Sequence, residues 1–228
     1  MNNSVEHGSL TQPGRFGLPA AYQQRPQPDY FADTADDSIT WQPDVYPHAA
    51  GLARELGREV IIDIGCGRAG KLALLQREQP QWHYIGVDYG PNIEWCRANH
   101  PFGDWIEANL ETCTALTMPI AQLRRAVIVC SDVLEHLVRP DIATRMMLTL
   151  ATTGDSAPVV LSTPARERRA GAAYLGQPRN PAHVREWTST EFQSFVSASG
   201  FAIHDARLTR SDDQSNGLTT QLITAYPA

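Results

Sequence analysis

Short apolar segments alternate with amphipathic segments over most of this 228-residue chain. The apolar segments are rich in β-branched side chains, and such runs are typical of strands that are buried on both faces of a sheet. They are bounded by glycine, proline and acidic residues, which end strands and open turns. The predicted strands lie at 60–64, 82–88, 104–108, 125–131, 157–162, 201–208 and 218–226.

The segments between these strands carry helix start and stop signals. Asp44 suits an N-cap, Pro91 suits the first turn of a helix, and Thr188-Ser-Thr-Glu191 has the spacing of a capping box. The alternation of strands and helices predicts an α/β fold in which helices cover both faces of a mostly parallel sheet. The predicted helices are 44–56, 71–79, 91–99, 133–138, 141–152 and 188–199.

Residues 1–40 differ from the rest of the chain. They are rich in Gln, Pro, Gly and Asp without a sustained apolar period, which predicts an irregular N-terminal arm ahead of a single domain at 41–228. The arm nevertheless contains several aromatic side chains. We therefore expect its later part to pack over a ligand cleft, and its exposed rings are candidate contacts of a homodimer. These rings are Phe16, Tyr22, Tyr30 and Phe31, followed by Trp41.

The strand at 60–64 runs directly into a glycine turn, which is typical of sites for adenosine-bearing cofactors. Asp63 lies two residues before Gly65, where an acid would repel a pyrophosphate but attract a cationic ligand. Asp88 ends the second strand about 20 residues after the turn, the position of a ribose-diol acceptor. The sequence therefore predicts a nucleoside site with a cationic group beside Asp63.

Several segments in chain order resemble the motifs of class I S-adenosylmethionine-dependent methyltransferases. Asp63-Ile-Gly-Cys-Gly67 resembles the first motif and Gly86-Val-Asp88 the second. The segment 107–111 resembles the adenine-contacting segment after the third strand of these enzymes. The segment 127–137 resembles their fourth-strand motif, and 159–164 resembles their fifth strand. The resemblance implies a Rossmann-like, doubly wound, seven-stranded sheet with a C-terminal antiparallel hairpin, and S-adenosyl-L-methionine as cofactor.

The same resemblance implies which residues bind the cofactor. The first motif surrounds the methionine portion, Asp88 binds the ribose hydroxyls, and Tyr89 lies beside the sugar or adenine. Where the family usually has an acid, this chain has Asn109, whose amide oxygen can still accept from the adenine amine. The implied cofactor-binding residues are Asp63, Gly65, Cys66, Gly67, Asp88, Tyr89, Asn109, Leu110 and Ser131.

The connection at about 163–187 is longer than usual between a strand and a helix, which predicts a lid or substrate loop. It holds an excess of arginine, and guanidinium groups bind carboxylates or phosphates, although a solvated surface explains part of this excess. Its end resembles the His-x-x-x-aromatic segment of quinone-pathway, glycan and natural-product methyltransferases, so His183 is a candidate general base, or else a lid histidine bonded to the main chain. His136 is a secondary catalytic candidate, with a structural pairing to Glu135 as the alternative. The candidate substrate residues are Arg166, Arg179, Arg185 and Trp187.

Composition limits the function classes. A net charge of −6 disfavours a nucleic-acid substrate, and the chain has neither a long apolar span nor a signal-peptide pattern, so we expect a cytoplasmic protein without membrane contact. The four cysteines are too scattered for a zinc pattern, so the sequence suggests neither disulfides nor a metal. The expected function is methyl transfer to a hydroxyl of a small polar metabolite or sugar. The alternatives are an NAD(P)-dependent oxidoreductase and a non-catalytic S-adenosylmethionine-binding regulatory subunit.

Overall fold

The computed structural model describes residues 14–26 and 39–228, which form an α/β fold around one seven-stranded sheet. The strand order is β3-β2-β1-β4-β5-β7-β6, with β1 to β5 parallel and β7 antiparallel to both β5 and β6. The predicted parallel sheet with a closing hairpin is confirmed. The strands are β1 Val60–Ile64, β2 His83–Asp88, β3 Gly103–Glu107, β4 Ala126–Ser131, β5 Val159–Pro164, β6 Phe201–Arg210 and β7 Leu218–Pro227.

Helices cover both faces of the sheet. Because successive side chains of a strand point to opposite faces, Ile61 packs in the core with α1, α2 and α3, whereas Ile62 packs in the core with α5 and α7. The helices are α1 Val45–Glu55, α2 Gly70–Glu78, α3 Pro91–Asn99, α4 Ile120–Leu123, α5 Pro140–Thr153, α6 Arg166–Arg169 and α7 Ser189–Ala198, preceded by a 3₁₀ turn at Arg15–Gly17.

The strand order places a crevice at the carboxyl ends of β1 and β4. From β1 the chain winds outward through β2 to β3, then returns to continue on the other side of β1 with β4 and β5. The connections after β1 and β4 therefore leave the sheet in opposite directions. In open α/β sheets, ligands bind at such a switch point.

The predicted helix at 133–138 is wrong, because this segment forms turns. Asp132 has a left-handed backbone conformation with φ of 52°, which is not helical, directly after β4. The main-chain carbonyl of Glu135 then accepts hydrogen bonds from Val184 and Arg185 instead of from a following turn of helix. Pro140 restricts the residue before it to non-helical conformations, so the helix begins only at Pro140.

The capping box that opens α7 is confirmed: the Thr188 hydroxyl accepts from the Glu191 amide, and the Glu191 carboxylate accepts from the Thr188 amide. Asp44 precedes α1 as predicted but does not cap it. Its carboxylate instead binds the Thr209 hydroxyl and the Arg210 guanidinium on β6, so it fastens the start of α1 to the hairpin.

The described part of the N-terminal arm, residues 14–26, lies along the loop between β5 and α7. The Phe16 ring packs edge to face on Phe195, and the Tyr22 hydroxyl accepts from the Glu186 amide. The predicted packing of the later part over a cleft, including Tyr30 and Phe31, lies outside the described residues. Among the helices that the structure does describe, none is both long and apolar enough to cross a membrane.

Candidate active site

The turn after β1 requires glycine at two positions. Gly65 and Gly67 have φ of +80° and +56°, in the left-handed region that L side chains rarely adopt. A Cβ at Gly65 would also lie only 2.4 Å from Cγ2 of Val133, in the turn that follows β4. The missing side chains let the main chain approach both the neighbouring turn and any ligand in the crevice.

Asp63 is a buried acid whose carboxylate is only half satisfied. Its side chain is 1% exposed, and Oδ2 accepts a 2.8 Å hydrogen bond from the Tyr46 hydroxyl. Oδ1 has no hydrogen-bond partner among the described residues. Burial raises the pKa of Asp63 to about 7, against the opposing effects of the Tyr46 hydrogen bond and the Lys71 charge. This unsatisfied oxygen fits a cationic ligand group that supplies the missing donor.

Asp88 connects the end of β2 to the glycine turn. One carboxylate oxygen accepts from the Gly67 amide at 2.7 Å, and the other accepts from the Tyr89 amide at 2.7 Å. Tyr89 itself is exposed, next to this acid. Asp88, Tyr89 and the glycine turn therefore meet at one edge of the sheet, as the sequence predicted.

Cys66 and Leu110 contribute mainly packing, since both side chains are buried in the cores. A hydrogen bond with Cys96 and burial raise the pKa of the Cys66 thiol. Asn109 is exposed, and its Oδ1 accepts from the Glu111 amide at 2.9 Å, so the predicted acceptor for adenine already closes a local turn. Contacts of these residues with the cofactor stay predictions.

A chain of polar side chains leads from Ser131 across the edge of the sheet. The Ser131 hydroxyl lies 2.8 Å from that of Ser162, which donates to Asp132 Oδ1 at 2.8 Å. Gln42 donates to the other Asp132 oxygen at 2.6 Å and accepts from Lys71. Sequence reasoning missed Asp132, although an acid directly after a buried strand is the same signal that identified Asp88.

Two segments that are distant in sequence bring Glu135, His136 and His183 together. The loop after β5 docks on the turn after β4, because the Val184 amide donates to the Glu135 carbonyl at 2.7 Å. The two imidazole rings meet edge to face with centroids 4.7 Å apart. Both catalytic candidates from the sequence therefore lie in one site, next to a buried carboxyl group.

Arg166 and Arg185 make contacts within the protein, and their predicted contact with substrate stays a prediction. Both are buried, with Arg185 donating to the carbonyls of Leu137 and Val138, and Arg166 donating to the Glu186 carbonyl and the Glu191 carboxylate. These guanidinium groups hold the loop to the protein.

Trp187 also packs within the protein, and its predicted substrate contact stays a prediction. Its ring is fully buried and stacks on Phe195, and its Nε1 donates to the Phe16 carbonyl at 2.9 Å. Arg179 is exposed, so its predicted contact with substrate stays a prediction.

Comparison with known proteins identifies the family. A family model described as a methyltransferase domain matches residues 44–206, which is more than half of the chain. The chain belongs to the methyltransferase domain family. It is an S-adenosylmethionine-dependent methyltransferase, as its sequence motifs predicted. No curated protein matches the chain.

Several solved structures, methyltransferases among them, share the fold. The methyltransferase domain of a bacterial protein, CtHen1, superposes with a TM-score of 0.56 at 18% identity, covering 80% of this chain and 96% of that domain. LepI in complex with S-adenosylmethionine gives a TM-score of 0.56 at 14% identity, covering 78% of this chain and 46% of LepI. The mitomycin 7-O-methyltransferase MmcR gives a TM-score of 0.53 at 14% identity, covering 81% of this chain and 54% of MmcR.

Residues at the switch point of this methyltransferase fit the cofactor. The unsatisfied oxygen of Asp63 suits the cofactor's ammonium group, and the glycine turn leaves space that any side chain would fill. S-adenosylmethionine supplies a methyl group that is activated by its positively charged sulfur. The family therefore agrees with the expectation that Asp63 attracts a cation rather than a pyrophosphate, and the dinucleotide-dependent oxidoreductase is not retained.

Proposed function

We propose that this methyltransferase transfers the methyl group to a hydroxyl of a small polar molecule, such as a sugar or another polar metabolite. The observation that carries this proposal is the cluster of buried Glu135, buried His183 and partly buried His136 at the carboxyl edge of the sheet. A hydroxyl acceptor must lose its proton during methyl transfer, and imidazole and carboxyl groups are suited to assist that loss. The O-methyltransferase MmcR shows that this fold carries such a reaction in another protein.

The residues around the crevice have distinct tasks in this proposal. Asp63 pairs with the ammonium group of the cofactor, and Asp88 accepts hydrogen bonds from the ribose hydroxyls. The glycine turn lets the cofactor approach the main chain closely. Alignment of the acceptor with the methyl group and exclusion of water provide most of the rate enhancement in such a reaction. The loop between β5 and α7 covers this edge of the sheet, so it is suited to both tasks.

His183 is oriented for chemistry at Nε2. Its Nδ1 lies 2.8 Å from Glu186 Oε1 and donates to this carboxylate, which places the basic lone pair on Nε2. Asn180 Nδ2 lies 3.0 Å from Nε2 and donates to it when no ligand is bound. Glu186 thus orients the imidazole.

His136 is held in a neutral form. Burial, followed by the neighbouring His183, lowers the pKa of His136 to about 3. A base with such a low pKa removes protons poorly near pH 7, because general bases work best when their pKa lies near the working pH. His136 is therefore better suited to bind a ligand through its ring nitrogen than to act alone as the base.

The proposal is tested with labelled S-adenosylmethionine and paired acceptors that differ only in a hydroxyl or an amine. We expect label in the hydroxyl members of the panel, with the methylated oxygen identified by NMR of the product. His183→Ala is expected to lower kcat at least 100-fold while cofactor affinity is retained. His204→Ala, which removes an exposed histidine on β6, provides the control and keeps full activity.

Transfer to the amine members alone would contradict hydroxyl methylation. Cofactor binding without label transfer to any acceptor of a broad panel would instead favour the non-catalytic regulatory subunit. Homodimer formation and a cytoplasmic location stay predictions, and sedimentation of the purified protein measures the first directly.

A further inference from the structure

We propose that Glu135, His136 and His183 form a binding site for one divalent cation of the first transition row, of the Mn²⁺, Co²⁺ and Zn²⁺ class. Each residue offers one ligand atom, and these atoms all lie within 4.8 Å of one another. Ligands around one such ion are bonded at about 2.0–2.2 Å, so small side-chain rotations close the cluster around it.

Glu135 supplies the negative charge of the site. Its side chain is 0% exposed, and Oε2 accepts from the Thr163 hydroxyl at 3.0 Å. Oε1 is buried and has no hydrogen-bond partner among the residues that the structure describes. A buried carboxylate oxygen without a partner is costly, and native proteins satisfy such groups with a hydrogen bond, a counter-charge or a metal. A cation between Glu135 and the two imidazoles satisfies this oxygen.

Both histidines have the hydrogen-bonding arrangement that metal ligands require. Metal-binding histidines donate the N–H of one ring nitrogen to a carboxylate or carbonyl, which fixes the ring and leaves the other nitrogen for the metal. His183 Nδ1 lies 2.8 Å from Glu186 Oε1, and His136 Nδ1 lies 2.9 Å from the Ala182 carbonyl. Each ring therefore directs the basic lone pair to Nε2, and an ion at His183 replaces the contact with Asn180.

The loop architecture keeps these ligands in place. The hydrogen bond between Val184 and Glu135 ties the two ligand-bearing segments together immediately beside the cluster. Arg185 adds bonds to the carbonyls of Leu137 and Val138, and Arg25 reaches from the N-terminal arm to the His183 carbonyl. A site that is braced in this way is pre-formed before an ion arrives.

The donor set selects the class of cation. Imidazole nitrogens favour Zn²⁺ and Co²⁺ over Mg²⁺ and Ca²⁺, which prefer sites made of oxygen ligands, and the carboxylate of Glu135 also suits Mn²⁺. Three protein ligands leave coordination positions open, as in catalytic metal sites. If the proposed function holds, His183 Nε2 acts as a metal ligand and not as the base: the acceptor hydroxyl takes an open position, its pKa falls on coordination, and its proton is released to solvent. The metal site itself does not depend on that role.

Metal binding is measured on the full-length protein after chelator treatment, with Co²⁺ followed by visible absorption and Mn²⁺ by electron paramagnetic resonance. We expect one ion per chain and a higher melting temperature with metal. Glu135→Gln and His183→Gln are expected to weaken binding at least 100-fold. Glu186→Gln, which alters only the group behind His183, weakens it about 10- to 100-fold. His204→Ala binds like the unmodified chain.

Glu135→Gln also separates a lost ligand from a lost fold, because the amide keeps the shape of the side chain and replaces a buried carboxyl group whose Oε1 has no partner among the described residues. We expect its metal-free melting temperature to equal or exceed that of the unmodified chain. Absence of Co²⁺ and Mn²⁺ binding at millimolar concentration would overturn the site. Metal binding by Glu135→Gln and His183→Gln that is as tight as that of the unmodified chain would also overturn it. Metal binding without hydroxyl methylation would leave the site intact and refute only the proposed function.

Discussion

Replacement of Asp63 by Asn tests how the protein recognises the charge of its cofactor. Because burial raises the pKa of Asp63 to about 7, the empty site holds this carboxyl group half protonated at neutral pH and neutral at pH 5. Pairing with the cofactor's ammonium requires the ionised form, so binding is coupled to loss of a proton below pH 7. The dissociation constant therefore rises about tenfold for each pH unit below 7, and about 100-fold at pH 5.

Calorimetric titration with S-adenosylmethionine between pH 5 and 7.5 measures this dependence. Asp63→Asn keeps a hydrogen-bond partner for Tyr46 but cannot ionise, so its affinity should be independent of pH in this range. At pH 7.5 it should bind about 10- to 100-fold more weakly, the cost of a lost charge-assisted hydrogen bond of about 1.5–3 kcal/mol. Methylthioadenosine, which lacks the ammonium, is the ligand control and should show no such pH dependence.

The raised pKa of Asp63 also makes the stability of the cofactor-free protein depend on pH. The folded protein keeps the Asp63 proton up to about pH 7, whereas the unfolded chain loses it near the ordinary value of 3.8. This group therefore lowers the free energy of unfolding as pH rises from about 4 to 7, by up to about 4 kcal/mol. Asp63→Asn should be more stable than the unmodified chain at pH 8. An unmodified chain whose affinity is constant from pH 5 to 7.5 would refute the reasoning.

Three further substitutions test the fold around the site, each by chemical denaturation. Gly65→Ala should destabilise the protein by about 1–3 kcal/mol through strain at φ +80° and the clash with Val133, and adding Val133→Ala should relieve only the clash. Unchanged stability of Gly65→Ala would contradict the turn geometry. Arg185→Met should cost about 2–4 kcal/mol because buried carbonyls lose their donors, whereas exposed Arg179→Met should change stability by less than about 0.5 kcal/mol; equal effects would refute the structural role of Arg185. Thr188→Ala should cost about 1 kcal/mol by removing the cap of α7, and no loss would show that the capping box contributes nothing.

Local signals in the sequence predicted most of the fold. The seven strands, the hairpin and the box at Thr188 follow from apolar runs and capping residues, whose effects are confined to a few neighbouring positions. The prediction of a helix at 133–138 was wrong because the conformation of this segment depends on a tertiary contact. The Glu135 carbonyl binds amides almost 50 residues away, which no local pattern shows.

The candidate site divides in the same way. Asp63, Gly65 and Asp88 lie within one unit of strand, glycine turn, helix and strand, so their spacing in the sequence predicted that they meet. The burial of Arg166 and Arg185 could not be predicted from the sequence, because composition shows charge but not the direction of a side chain. No metal site is predicted from the sequence because the cysteines lack a ligand spacing, and the proposed ligands come from segments that meet only in the folded chain.

A crystal structure of the protein grown with S-adenosylhomocysteine tests the central claim most directly. We expect density for the nucleoside across the glycine turn, with the ligand ammonium within hydrogen-bond distance of Asp63 Oδ1 and the ribose hydroxyls on Asp88. A ligand bound elsewhere, or one whose ammonium points away from Asp63, would contradict the account.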